Sequence, residues 1–236
     1  MVPTVAKCIA LSLALATGVG SRGPVKYTEV TISKLKKGYW SVSVTYPHFQ
    51  SASAVTALAN HDLMQLSQTW VHEWATGITK DMEKPITPWL EEYTPTVVSA
   101  RGELVSLQMT QYSDTEGAHP NTLHLTLNFG FVGDGAKLLT LKDLFKPGTQ
   151  ALAIVSKIVI AKLKEKDASW IQDGTVKLLD AKQGDEFVIK PDRLTYIFSP
   201  YEMGSYAEGT YEIDVPFATI AAKLNPTGPL RVLLRK

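Results

Sequence analysis

The sequence contains one cysteine among its 236 residues. A single cysteine, Cys8, cannot form a disulfide within the chain. It lies at the start of an apolar run, whereas a lipid-acceptor cysteine would follow such a run. If the segment that contains it is removed on export, the mature chain has no thiolate metal site and no cysteine nucleophile. The fold must then be stabilised by its hydrophobic core, which a chain of this length can build.

The sequence also lacks an excess of charge of either sign. Lysine and arginine total 24, aspartate and glutamate total 23, and the formal net charge is +1. Nucleic acid and anionic membranes attract strongly basic proteins, so neither is expected as the main partner. A content of 44% hydrophobic and 20% charged residues is ordinary for a soluble globular protein of one sizeable domain or two small ones.

Long hydrophobic runs are absent as well. The longest N-terminal run follows Lys7 and spans residues 8–15, which is shorter than the roughly 20 residues of a membrane-spanning helix. Small residues follow up to Gly20, so residues 1–20 have the layout of a signal peptide. We therefore expect an exported protein, periplasmic or extracellular, with no membrane span in the mature chain. The alternatives are a buried N-terminal helix and an uncleaved anchor.

Complete catalytic motifs are missing too. His72 and Glu73 begin a zinc-protease pattern, but Thr76 stands where the second histidine is required. The glycines at 130, 133 and 135 are followed by no Lys-Ser or Lys-Thr pair, and no Gly-x-Ser-x-Gly motif occurs. We expect no catalytic residues, no metal and no cofactor.

Two periodicities predict the fold. Alternating apolar and polar residues predict strands over residues 25–46, ended by Pro47, and over residues 96–112, 123–141 and 187–215, with a hairpin turn at 133–135. Helical spacing over residues 53–82 places a stripe of apolar side chains on one face: Leu63, Leu66, Trp70, Trp74 and Ile78. Thr149 is expected to cap a second helix that ends near Lys166, and a short helix is expected over residues 218–224.

These elements predict an α+β fold, a mostly antiparallel sheet with two main helices packed on it. We expect a strand-helix segment over residues 25–100 and a second domain over residues 101–236, which together form one compact unit.

The segment at residues 200–209 combines aromatic and acidic side chains with two glycines. Tyr201 and Tyr206 offer contact area with a polar tip, which suits recognition of sugars or protein surfaces. Glu202 and Glu208 have the residue types of a glycosidase pair, although paired acids are common in turns. The alternative is that the tyrosines pack on a neighbouring strand and the glutamates are solvated.

A metal cluster is a further possibility in the region just before. The candidate ligands are Asp114, Glu116, His119 and His124. If both histidines lie on one strand, their odd separation sends them to opposite faces, which argues against a shared metal.

Three stretches of the sequence resemble a known family. They are residues 117–122 (GAHPNT), 141–145 (LKDLF) and 198–217. The chain resembles the domain-of-unknown-function family that forms the extracytoplasmic domain of the lysozyme-sensing anti-sigma factor RsiV and accompanies the peptidoglycan deacetylase PdaC. The resemblance spans about residues 42–224 and implies recognition at the cell envelope. The sigma-binding part and the deacetylase motifs of those proteins are not found in this sequence, so it implies neither activity.

The sequence therefore predicts a noncatalytic exported domain that binds a lysozyme-like protein or a glycan in the cell envelope. The rival hypotheses are an enzyme that modifies cell-wall polysaccharide and a purely structural envelope component. The candidate ligand-binding residues are Tyr201, Glu202, Tyr206, Glu208, His119 and Asn121.

Overall fold

A six-stranded sheet forms the first layer of the protein. The computed structural model describes residues 24–234, so the expected signal peptide at residues 1–20 lies outside the described residues. The strands lie side by side in sequence order: β1 (Tyr27–Lys36), β2 (Trp40–Phe49), β3 (Trp89–Arg101), β4 (Leu104–Asp114), β5 (Asn121–Val132) and β6 (Gly135–Leu138). Only β2 and β3 pair in parallel within this sheet. The predicted α+β fold with a mostly antiparallel sheet is confirmed.

Strand β2 continues beyond the residue that was expected to end it. Pro47 lies inside β2, opposite Glu29 of β1. The pairing of β2 with β3 stops at Val44, so beyond that point β2 has a neighbouring strand on one side only. A residue without an N–H group is tolerated at such an edge. The predicted strand end at Pro47 is therefore wrong.

The first long helix covers one face of this sheet. Helix α1 spans Ala54–Glu73, and the Ser53 side chain caps it by accepting the Thr56 N–H at 3.1 Å. The sequence predicted a helix up to residue 82, but α1 is followed by a π-helical turn, Trp74–Ile78, which ends the helical segment. Leu63, Trp70 and Trp74 are buried as expected. The helix is therefore shorter than predicted, and its apolar stripe faces the sheet.

A second layer is built from the C-terminal part of the chain. It contains helices α2 (Ala151–Glu165), α3 (Ser169–Gln172), α4 (Ala181–Gly184), α5 (Phe217–Ile220) and α6 (Arg231–Leu234), with a three-stranded antiparallel sheet of β7 (Phe187–Ile189), β8 (Arg193–Phe198) and β9 (Tyr211–Pro216). The inward face of α2 packs on this sheet through Val155, Val159 and Leu163. None of the helices within residues 24–234 is long and apolar enough to cross a membrane.

Two boundaries in this layer differ from the predictions. Gln150, rather than Thr149, precedes helix α2, because the Thr149 N–H bonds to the Lys146 carbonyl in the preceding turn. Strand β6 ends at Leu138 instead of residue 141, and Leu141–Leu144 forms a short helical turn. The Asp143 carboxylate accepts the N–H and the hydroxyl of Thr140, at 2.8 and 2.9 Å, and so begins that turn.

The two layers are joined by polar side chains that bond to backbone groups. Ser106 and Asn128 on the first sheet bond to the Ile189 N–H and the Phe187 carbonyl, each at 2.7 Å. Ser99 adds a bond to the Ile189 carbonyl at 2.8 Å. The β3–β4 hairpin crosses residues 100 and 101, so the first sheet includes both sides of the expected domain boundary. This attachment fixes the second layer, and the turn after β8, against strand β5.

Candidate binding surface

The turn after strand β8 holds a tyrosine in an unusual backbone conformation. The Glu202 N–H bonds to the Ser199 carbonyl at 3.1 Å, with Pro200 and Tyr201 between them. Tyr201 has a φ of 68°, the left-handed value that the third position of a type II turn requires and that glycine normally supplies. A left-handed residue with a side chain costs about 1 to 2 kcal/mol. The Tyr201 side chain is nevertheless 52% exposed, so burial does not compensate for this cost.

Neighbouring contacts hold this turn in place. The Glu202 carboxylate accepts the Ser199 N–H at 2.6 Å, and the Ser199 hydroxyl accepts the His124 N–H of β5 at 2.9 Å. The turn is therefore tied both to itself and to the first sheet. Strained conformations persist where surrounding contacts fix them, and they concentrate at functional sites.

Three of the candidate residues meet on one surface. The His119 ring stacks on the Tyr206 ring with centroids 3.6 Å apart, and the Tyr201 ring lies 5.6 Å from that of Tyr206. The His119 Nε2 and the Tyr201 hydroxyl are 3.3 Å apart. We call His119, Tyr201 and Tyr206 the aromatic surface.

The loop that carries His119 fixes the orientation of these rings. The Tyr206 hydroxyl donates to the Pro120 carbonyl at 2.8 Å, and the His119 Nδ1 lies 2.9 Å from the same oxygen. A carbonyl oxygen accepts two hydrogen bonds, so Nδ1 can carry the proton of a neutral imidazole. Nε2 is then free to accept the Tyr201 hydroxyl.

Asn121 follows His119 and Pro120 in the chain, and His119 does not share a strand with His124. Strand β5 begins at the exposed Asn121, which pairs with Ser113, so His119 belongs to the preceding loop. The comparison of strand faces for His119 and His124 therefore does not apply. Within residues 24–234, no group of three or more histidine, cysteine or acidic side chains is arranged to hold a metal ion.

Glu208 supports the loop that carries Tyr206. Its carboxylate accepts the N–H and hydroxyl of Ser169, the N–H and hydroxyl of Ser205, and the hydroxyl of Tyr211, at distances from 2.6 to 2.9 Å. These bonds, first those from Ser169, hold the pKa of Glu208 well below its ordinary value. Gly204 lies so close that a Cβ atom there would overlap this carboxylate. Glu208 is thus a brace for the loop and unsuited to donate a proton.

Glu202 belongs to a cluster that sequence reasoning missed. The Lys182 Nζ lies 2.7 Å from Glu186 Oε1 and 3.4 Å from Glu202 Oε1. Glu186 is buried, and its Oε2 has no hydrogen-bond partner among the described residues. Burial and then the charge of Glu202 raise the pKa of Glu186 to about 7. The only signal in the sequence was a lysine and a glutamate four residues apart, which is common on exposed helices.

His124 is also a supporting residue. Its Nδ1 lies 2.7 Å from the Gln108 side-chain nitrogen and its Nε2 lies 3.0 Å from the Thr210 hydroxyl. An amide nitrogen only donates, so Nδ1 accepts and Nε2 carries the proton. Burial lowers the pKa of His124, which favours this neutral form. His124 therefore helps to hold the end of the 200–209 loop.

Comparisons with known proteins agree with this fold. Residues 142–218 match the family model described as "Protein of unknown function (DUF3298)". This match includes Tyr201, Tyr206 and the Lys182 cluster, whereas His119 and Asn121 precede it. A comparison with curated protein sequences found no match.

Two solved structures have a similar fold. A DUF3298-family protein from Pseudomonas aeruginosa PAO1 has a TM-score of 0.65 and 16% identity, covering 89% of this chain and 97% of that one. A member of the same family from Bacteroides fragilis NCTC 9343 has a TM-score of 0.56 and 13% identity, covering 92% of this chain and 100% of that one. The chain thus contains a match to the DUF3298 domain and has the fold seen in proteins of that family.

Proposed function

We propose that the chain is a noncatalytic binding domain of the cell envelope and that its aromatic surface contacts a protein or glycan ligand. The observation that carries this proposal is Tyr201, an exposed aromatic side chain held in a backbone conformation that glycine would adopt more easily. Folding gains little from an exposed ring at a strained position. A contact with a ligand would account for its presence.

The surface is organised before any ligand binds. His119 stacks on Tyr206, and both rings bond to the loop at Pro120. Tyr201 is oriented by the His119 ring and by the turn that carries it. A preorganised contact loses little conformational entropy on binding, and aromatic anchors of this kind contribute about 2 kcal/mol or more to an interface.

Two ligands should be tested first. The resemblance to the domain of the lysozyme-sensing anti-sigma factor supports a lysozyme-like protein. The resemblance to the domain that accompanies a peptidoglycan deacetylase supports the glycan of the cell wall. The exposed face of Tyr201 suits either ligand, because tyrosine combines an apolar ring with a polar tip.

The binding test uses Tyr201→Gly, which removes the ring and also relieves the backbone strain. We expect unchanged or higher thermal stability and an affinity for lysozyme or for sedimented peptidoglycan that is about 30-fold lower. Tyr27→Ala is the control, because Tyr27 is 41% exposed on β1 of the first sheet, outside the aromatic surface. Binding to neither ligand, or equal binding by wild type and Tyr201→Gly, would contradict the proposal.

The absence of catalysis is a separate part of the proposal. The domain should release no product when it is incubated with peptidoglycan and the supernatant is analysed by mass spectrometry. Release of a defined product that stops in Glu202→Gln would favour the cell-wall enzyme instead.

Export is the third part. Protein recovered from the native host should begin near Thr17 or Ser21, as measured by intact mass. A cytoplasmic protein that retains Met1 would contradict the envelope location.

A further inference from the structure

We infer that Lys182, Glu186 and Glu202 form a proton-controlled latch on the turn that carries Tyr201. The aromatic surface is held in its ordered arrangement while Glu186 is protonated and is released when Glu186 loses its proton. This inference adds a form of regulation to the proposed binding site, and its binding arm rests on the proposed function.

The geometry places one positive charge between two acids. Lys182 on α4 contacts both carboxyl groups, at 2.7 Å for Glu186 and 3.4 Å for Glu202. Both carboxyl groups thus contact the same ammonium group, and the charge of Glu202 acts on Glu186. Two carboxylates this close repel when both are ionised, so one of them retains a proton.

Glu186 is the member that holds the proton. It is buried, and its Oε2 has no hydrogen-bond partner among the described residues. A proton on Glu186 makes that carboxyl group a hydrogen-bond donor and removes one of the two negative charges that share Lys182. Glu202 then remains the ionised acceptor.

Other charged groups around the pair have their own partners. Asp185, next to Glu186 in the chain, accepts the Leu141 N–H at 2.7 Å. Burial lowers the pKa of His124 on β5 and so favours its neutral form, although the charges of Glu212 on β9 and of Glu202 act in the opposite direction. Lys182 is therefore the cation that balances the pair.

The latch acts through Glu202. One carboxylate oxygen of Glu202 contacts Lys182, and the other accepts the Ser199 N–H and so braces the turn that carries Tyr201. When Glu186 releases its proton to solvent, repulsion drives the more exposed Glu202 carboxylate outward. The bond from the Ser199 N–H is then lost, so the bond between the Glu202 N–H and the Ser199 carbonyl alone closes the turn, and the strained Tyr201 backbone relaxes more easily.

The test is a carboxyl titration of the full chain labelled with ¹³C in glutamate and tyrosine, followed by NMR. The carboxyl signal of one glutamate should titrate near neutral pH, and this titrating signal should be absent in Glu186→Gln. The Tyr201 ring signal should shift with the same midpoint. If no glutamate titrates above its ordinary range, or if the Tyr201 signal does not follow it, the latch does not exist.

Two further variants keep the test decisive if Glu186→Gln does not fold. Glu202→Gln removes the negative neighbour, so the midpoint of the Glu186 titration should fall by about one pH unit or more. Lys182→Met removes the cation, so the same midpoint should rise by a similar amount. Shifts in the opposite directions, or no shift in either variant, would overturn the assignment.

The binding arm uses lysozyme and sedimented peptidoglycan as probes. If the ordered surface falls to about one tenth of the population above the midpoint, affinity falls about tenfold there, whereas Glu186→Gln keeps the low-pH affinity. If the Tyr201 ring signal follows the titration of Glu186 but neither probe binds, the latch stands and the proposed function fails. If a probe binds with no pH dependence and no neutral titration, the proposed function stands and the latch fails.

Discussion

Replacing Trp70 with alanine should destabilise the protein by about 3 to 5 kcal/mol, because it removes a large buried ring from the core between helix α1 and the first sheet. Trp70 is only 5% exposed. Its ring stacks on Tyr93 with centroids 4.5 Å apart and an interplanar angle of 9°. The stack contributes about 0.5 to 1.5 kcal/mol of this loss, so Trp70→Phe, which keeps a ring, should lose much less.

Urea unfolding measures the free energy of unfolding for each variant. In a chain of this size, 1 kcal/mol corresponds to roughly 2 to 4 °C in melting temperature, so Trp70→Ala should melt about 6 to 20 °C below wild type. Ile86→Ala is the control, since Ile86 is 99% exposed and should change stability by less than about 0.5 kcal/mol. A loss below about 1 kcal/mol for Trp70→Ala would mean that the apolar stripe of α1 does not anchor the helix.

Three more predictions concern the frame of the structure. Asn60→Ala should lower the free energy of unfolding, measured with urea, by about 2 kcal/mol, because the Asn60 amide bonds to both the N–H and the carbonyl of Phe49, at 2.8 and 3.0 Å. An unchanged free energy of unfolding would mean that water replaces these two hydrogen bonds. Gly204→Ala should lower the melting temperature through overlap with the Glu208 carboxylate, and an unchanged melting curve would refute that close packing. Burial raises the pKa of Glu91, so the folded wild type binds this proton more tightly than the unfolded chain; its stability should fall as pH rises above the ordinary glutamate pKa of about 4.3. In Glu91→Gln, unfolding experiments at a series of pH values should no longer show this fall in stability. If the stabilities of wild type and Glu91→Gln change with pH in the same way, Glu91 is not the group responsible.

Local patterns predicted the regular elements well. The alternation over residues 25–46 predicted strands, and Trp40, Val42 and Val44 are the buried side chains of strand β2. The turn at Asp134 joins β5 to β6 as expected. Strand alternation and helical spacing both involve residues that are close in sequence, so they can be recognised without knowing the fold. The errors at Pro47 and Thr149 arose where a neighbouring strand or turn, rather than the local pattern, decides where an element ends.

The candidate surface depended on contacts that no local pattern contains. Tyr201 and Tyr206 were chosen from their own turn, but His119 reaches them from a loop more than 80 residues earlier. The approach of these segments is fixed by side chain to backbone bonds such as that between Ser199 and the His124 N–H. The same limit explains Glu186, whose burial beside Glu202 follows from the packing of α4 against the turn and cannot be inferred from spacing.

The most direct test of the proposed binding surface is an NMR titration of the full chain with lysozyme and with soluble peptidoglycan fragments, in which the aromatic ring signals are followed. The binding account predicts saturable shifts of the His119, Tyr201 and Tyr206 rings with at least one of these ligands, while the Tyr27 ring stays unchanged. Ring signals that remain unchanged at saturating ligand, or shifts confined to other parts of the protein, would contradict it.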